Sequence, residues 1–96
     1  MIALVVKVKA KPGQRDALRV SALKMANAVR TNEKGNKLFI VGDGPDEDSL
    51  VMLERYVDEA AMAEHRGMAH FKEIGREMGQ FMDGRPEVVF RFVEHE

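Results

Sequence analysis

The sequence contains no cysteine and no tryptophan, a single tyrosine, three prolines and three histidines. Without cysteine there is no disulfide, no thiolate nucleophile, no iron–sulfur ligation and no cysteine zinc site. An excess of one charge is also lacking: 15 basic and 16 acidic residues leave a formal net charge of -1. That balance offers no electrostatic footprint for nucleic acid or an anionic membrane, and no run of like charges forms a tail. The N-terminal MIALVVKVKAKPG holds an apolar run of about five residues before lysines interrupt it, too short for a signal segment or a membrane span. No low-complexity segment or linker divides the chain. These absences predict a soluble, cytoplasmic protein with a single domain over residues 1–96, and neither nucleic acid nor membrane as a partner.

What is present is a hydrophobic fraction of 45%, enough for a packed core, laid out with clear periods. Ile2 to Ala10 is rich in Val, Leu and Ile and begins to alternate at Lys7 and Lys9, which reads as a strand. Pro12-Gly13 ends it, because proline donates no ladder hydrogen bond and glycine accepts turn dihedrals. From Gln14 the spacing is helical. Leu18, Ala22, Met25 and Val29 form one apolar stripe, and the helix fades around Arg30 to Asn32, ahead of Gly35. Lys37 to Gly42 is a short strand, and GDGPDEDS is turn chemistry. Ser49 to Val57 is a third strand whose faces, Leu50, Met52, Glu54, Tyr56 and Val51, Leu53, Arg55, Val57, are both largely apolar. Asp58 is placed to cap a helix, with Glu59 in the first turn, where the dipole favours negative charge. Ala60 to His65 continue it, and Gly67 weakens and can bend it. Beyond the bend Phe71, Ile74, Met78 and either Phe81 or Met82 make a second stripe. Gly84 and Pro86 stop that helix, and Glu87 to Val93 is the last strand.

The order strand, helix, strand, strand, helix, strand predicts an α+β domain of ferredoxin-like βαββαβ topology with an antiparallel four-stranded sheet. Two helices cover one face of such a sheet. The other face would carry Val51, Leu53 and alternate residues of the last strand, an exposed apolar area of the kind that marks an interface. A homodimer with its sheets face to face resolves this, and a two-fold pair is the commonest closed form.

Glu54 to Phe71, ERYVDEAAMAEHRGMAHF, carries the only tyrosine and two of the three histidines. Through Glu54, Tyr56, Asp58-Glu59, Ala60, His65 and His70-Phe71 this chain resembles the antibiotic biosynthesis monooxygenase family. KPGQRDAL at Lys11 to Leu18, and Met82, Gly84, Arg85 and Pro86 before the last strand, are similar as well. The resemblance implies a dimeric α/β barrel. It also implies one of several activities: cofactor-free oxygenation of quinols or polyketide phenols, haem degradation, isomerisation of a phosphorylated hydroxy-pentanedione signal, or none known. Many members carry tryptophan at the position of Tyr56. Where the haem degraders carry theirs this chain has His65, and their haem-ligating histidine falls near Gly75, which cannot ligate. Haem is therefore not expected, and no other cofactor is.

Histidine has the side chain whose ordinary pKa lies nearest neutrality, so it can take or give a proton at physiological pH. Under the resemblance, His65 or His70 removes a proton from a hydroxyl or an acidic C–H held between the sheet and the second helix. The electron-rich anion then reacts with dioxygen without flavin or metal. Tyr56 would hydrogen-bond the substrate oxygen, and Phe39, Met52, Glu54 and Phe71 would line the pocket. Plainer roles stand beside these. His65 can close the sheet–helix junction, His70 can face solvent or the dimer seam, and Tyr56 can be a packing residue with a satisfied hydroxyl. No metal is expected, because five positions on an ideal helix set His65 and His70 about 140° apart and no third ligand suggests itself. GDGPDE places acids where a phosphate would be repelled, so it is not a phosphate loop.

Three readings remain open: a cofactor-independent monooxygenase of a small aromatic hydroxyl or quinol, an isomerase of a small phosphorylated hydroxy-dicarbonyl, and a non-catalytic dimeric ligand-binding protein. The isomerase needs a phosphate clamp, for which Arg66, Lys72, Arg76 and Arg85 are available. Two of them together at a pocket mouth would favour it, and an enclosed apolar pocket would favour the oxygenase.

Overall fold

The alternating apolar residues of the first segment form β1 (Ile2–Lys9), and the helical stripe beyond the Pro12-Gly13 turn forms α1 (Arg15–Asn32). Gly13 takes φ +75 there, a backbone angle that residues with a Cβ rarely adopt. A hairpin of β2 (Asn36–Asp43) and β3 (Ser49–Tyr56) follows, then α2 (Glu59–Gly67), α3 (Ala69–Gly79) and β4 (Glu87–Val93). These elements belong to a computed structural model that describes residues 1–95. The strands make one antiparallel sheet in the order β2-β3-β1-β4, so the domain has the α+β ferredoxin-like fold that the element order predicts.

Burial follows the pleat. Ile2, Leu4, Val6 and Val8 of β1 and Leu50, Met52, Glu54 and Tyr56 of β3 face the helices and are buried. Leu18, Ala22, Met25 and Val29 of α1 close over them, none more than 3% exposed. The ladder sets both Leu4 and Phe39 opposite Glu54, so one carboxylate stands in an otherwise apolar row across the sheet. On the far face the register lines up Ile40, Leu53, Val5 and Phe90 in one row and Leu38, Arg55, Ala3 and Phe92 in the next. Ile40, Leu53, Phe90 and Phe92 are each at least 40% exposed, so the apolar outer face expected of this topology is present. Among the described residues no helix is long and apolar enough to cross a membrane.

The second helical region is two helices rather than one bent at Gly67. Asp58 caps α2 as expected, accepting from the Ala61 amide at 2.8 Å. The break falls at Met68, whose extended backbone (φ -79, ψ 149) ends α2 and starts α3. Gly67 is the last residue of α2, and open space surrounds the position of its missing Cβ.

Gly35, between α1 and β2, matters more to packing. A Cβ there would lie 2.4 Å from the Ala61 Cβ of α2, and the Gly35 carbonyl is held by the Val57 amide at 2.8 Å. Gly35→Ala is therefore expected to push α2 outward. Overpacking of this kind costs about 1–3 kcal/mol, read as a melting temperature lower by several degrees. An unchanged melting temperature would show that α2 yields freely.

Candidate active site

A cavity of about 590 Å³ lies between the helix-facing side of the sheet and helices α2 and α3, and reaches the turn before β4. Its wall is mostly apolar, with Leu4, Val6, Phe39, Met52, Met62, Phe71 and Met78 among the lining residues. Of the residues anticipated from sequence, Phe39, Met52, Glu54, Tyr56, His65 and Phe71 all line it. His70 does not; its Nε2 meets Glu33 instead.

His65 is 6% exposed and enclosed by three aromatic rings, with centroids at 4.7 Å for Phe71, 5.6 Å for Tyr56 and 6.1 Å for Phe39. Its Nδ1 lies 2.8 Å from Glu33 Oε2 and 3.0 Å from Oε1, while Nε2 has no hydrogen-bond partner among the described residues. His70 Nε2 lies 2.5 Å from the same Glu33 oxygen. Both rings can thus donate N–H to one buried carboxylate, which supplies the hydrogen bonds a desolvated charge requires. The break at Met68 makes this possible. On a continuous helix the two rings would diverge, whereas here their centroids are 6.5 Å apart.

Glu33 escaped the sequence-based expectations. It is the residue just past the end of α1, where the helix dipole disfavours an acid, and that misplacement was the available signal. Glu33, His65 and His70 also place one carboxylate oxygen and two ring nitrogens within 4.8 Å of one another. Glu33 would supply the third donor that the sequence did not suggest, and the set is of the kind that divalent first-row ions accept. A metal would have to displace the ring protons that face Glu33.

Tyr56 is fully buried, and its hydroxyl donates to Glu54 Oε1 at 2.7 Å. Burial, with the negative field of Glu54, raises the Tyr56 pKa far above its ordinary value, so the hydroxyl stays a donor. Burial also raises Glu54 above the usual carboxylate range, partly offset by the Tyr56 hydrogen bond and the fields of His65 and Arg66. The sign of the consequence is definite. A carboxyl with a raised pKa binds more protons folded than unfolded, so the fold loses stability as pH rises from the unfolded value near 4.5 through the raised one. Glu54→Gln, which keeps an acceptor for Tyr56, is expected to flatten that decline. Melting curves of both proteins against pH check this, and parallel curves would acquit Glu54.

Fold and site together define a small α+β domain with a carboxylate-oriented histidine on the wall of an apolar cavity. The chain belongs to the antibiotic biosynthesis monooxygenase family, whose model matches residues 1–77. It is 30% identical over 88 residues to the protein named putative monooxygenase Rv0793 of Mycobacterium tuberculosis, covering 92% of this chain and 85% of that one. It is 33% identical over 72 residues to the protein named putative monooxygenase YcnE of Bacillus subtilis, covering 75% of this chain and 76% of that one. Among solved structures, a protein described as a putative antibiotic biosynthesis monooxygenase from Caulobacter crescentus superposes with a TM-score of 0.91 at 27% identity, over 99% of this chain and 90% of that one.

Proposed function

We propose that this chain is a cofactor-independent monooxygenase of a small, largely apolar aromatic hydroxyl or quinol, with His65 as the general base. The observation that carries this reading is His65 itself, held through Nδ1 by Glu33 at 2.8 Å while its ring lines the cavity. A proton donated from Nδ1 to Glu33 leaves Nε2 with a lone pair, and the carboxylate then stabilises the imidazolium that forms. Glu54, the acid on the cavity wall, offers a polar contact to a substrate hydroxyl, and Tyr56, which donates to its Oε1, orients it. The deprotonated ring reacts with dioxygen. One oxygen atom enters the product and the other leaves as water, all four electrons coming from the substrate, so no external reductant is needed. Oxygen uptake over a quinol panel tests this, and rates no faster than buffer across the panel would remove it.

A second reading has its own support: Arg66, Lys72 and Arg85 line the same cavity, as a phosphate clamp for the isomerase would. Loss of a phosphorylated hydroxy-dicarbonyl followed by NMR is the parallel assay. The open cavity with His65 on its wall weighs against a purely non-catalytic role. The protein acts as a homodimer in either case, the apolar outer face of the sheet being covered by a second copy.

A further inference from the structure

Arg66 stands in the last turn of α2, Lys72 in the first turn of α3, and Arg85 in the turn that follows Gly84, whose φ of +92 redirects the chain toward β4. The break at Met68 and the return to β4 bring all three to the cavity wall. All three are exposed residues, whereas Phe39, Glu54, Tyr56 and His65 on the same wall are buried, so the cations are the part of the wall in contact with solvent. Among the described residues none of the three cations forms an ion pair, although most of the other surface arginines do. The only acid on the described wall is Glu54, and Arg66 is near enough for its charge to act on that carboxyl. A chain of net charge -1 thus carries three exposed cations on the wall of a largely apolar cavity.

We infer that Arg66, Lys72 and Arg85 form an anion subsite, and that the ligand has an apolar ring or chain with one carboxylate or phosphate at its solvent-facing end. This rests on the cavity being the substrate site and narrows the substrate class under either chemistry, since a neutral quinol would leave the three cations unused. Arginine suits such a role because its planar fork meets both anions in bidentate fashion.

Two fluorophores that differ by one sulfonate test it: 1-anilinonaphthalene-8-sulfonate and neutral N-phenyl-1-naphthylamine. The wild type is expected to bind the anionic probe at least tenfold more tightly, with a preference that shrinks as salt rises. The triple variant Arg66→Gln, Lys72→Gln, Arg85→Gln should lose that preference while its affinity for the neutral probe stays unchanged, which also reports that it is folded. Equal binding of the two probes by wild type, or a preference intact in the triple variant, overturns the subsite alone. Gly75→Leu, which fills part of the cavity wall, should weaken both probes. If it weakens neither, the probes bind elsewhere and the cavity reading falls together with the subsite. Displacement of the anionic probe by benzoate or by phenyl phosphate then tells the carboxylate from the phosphate.

Discussion

His65→Ala is expected to lower turnover of an accepted substrate by about 10²- to 10⁴-fold, the usual contribution of a positioned general base. The protein should stay folded, because Glu33 keeps the His70 ring as a donor. Glu33→Gln should also lower turnover, by roughly tenfold or more, since the tautomer of His65 is no longer imposed and the imidazolium loses its counter-charge. His70→Ala should cost least of the three. His70 touches Glu33 but not the cavity, so its loss loosens the carboxylate without removing the base. The order His65, Glu33, His70 is what distinguishes a base with its supports from two interchangeable histidines. A His70→Ala protein as impaired as His65→Ala would move the base, and full turnover in all three would remove the site. Circular dichroism and melting temperatures separate these losses from unfolding.

The wild type should elute as a dimer at micromolar concentration in light-scattering chromatography, and Leu53→Arg should weaken that dimer by about 100-fold or more, the effect of burying an unpaired charge. Leu53 sits in the outer row between Ile40 and Val5, with Phe90 beyond, and is 40% exposed. In a two-fold pair every substitution appears twice, which doubles the penalty. Lys7 and Lys9 lie on the same face toward one end of β1, with Lys7 already paired to Asp46, so the apolar patch is bounded by charge. A wild-type monomer at that concentration would sink the face-to-face arrangement.

The share of the structure that is legible in the sequence differs between elements. The four strands and the two helical regions follow from periods of two and 3.6 residues and from punctuation at Pro12-Gly13, Asp58 and Gly84-Pro86, all local properties carried by neighbouring side chains. Even the two faces of β3 could be written down, because alternation along a strand needs no partner. The break at Met68 was less accessible. Glycine marked the weak point, but the extended residue is the one after it, and packing rather than propensity decides which of two adjacent residues gives way.

The site divides along the same line. Glu54, Tyr56, His65 and Phe71 stand out within one short stretch through the family resemblance together with their residue types, and all four line one cavity. Glu33 could not be found that way, since it lies 32 residues from His65 and 37 from His70 and meets both only after α2 and α3 fold back over the end of α1. The same folding decided that Tyr56 spends its hydroxyl on Glu54 and that His70 meets Glu33 without lining the cavity. Residue types and their spacing name candidate acids and bases. Which nitrogen faces a carboxylate and which faces a cavity is set by contacts between segments far apart in the chain, and those exist only in the folded protein.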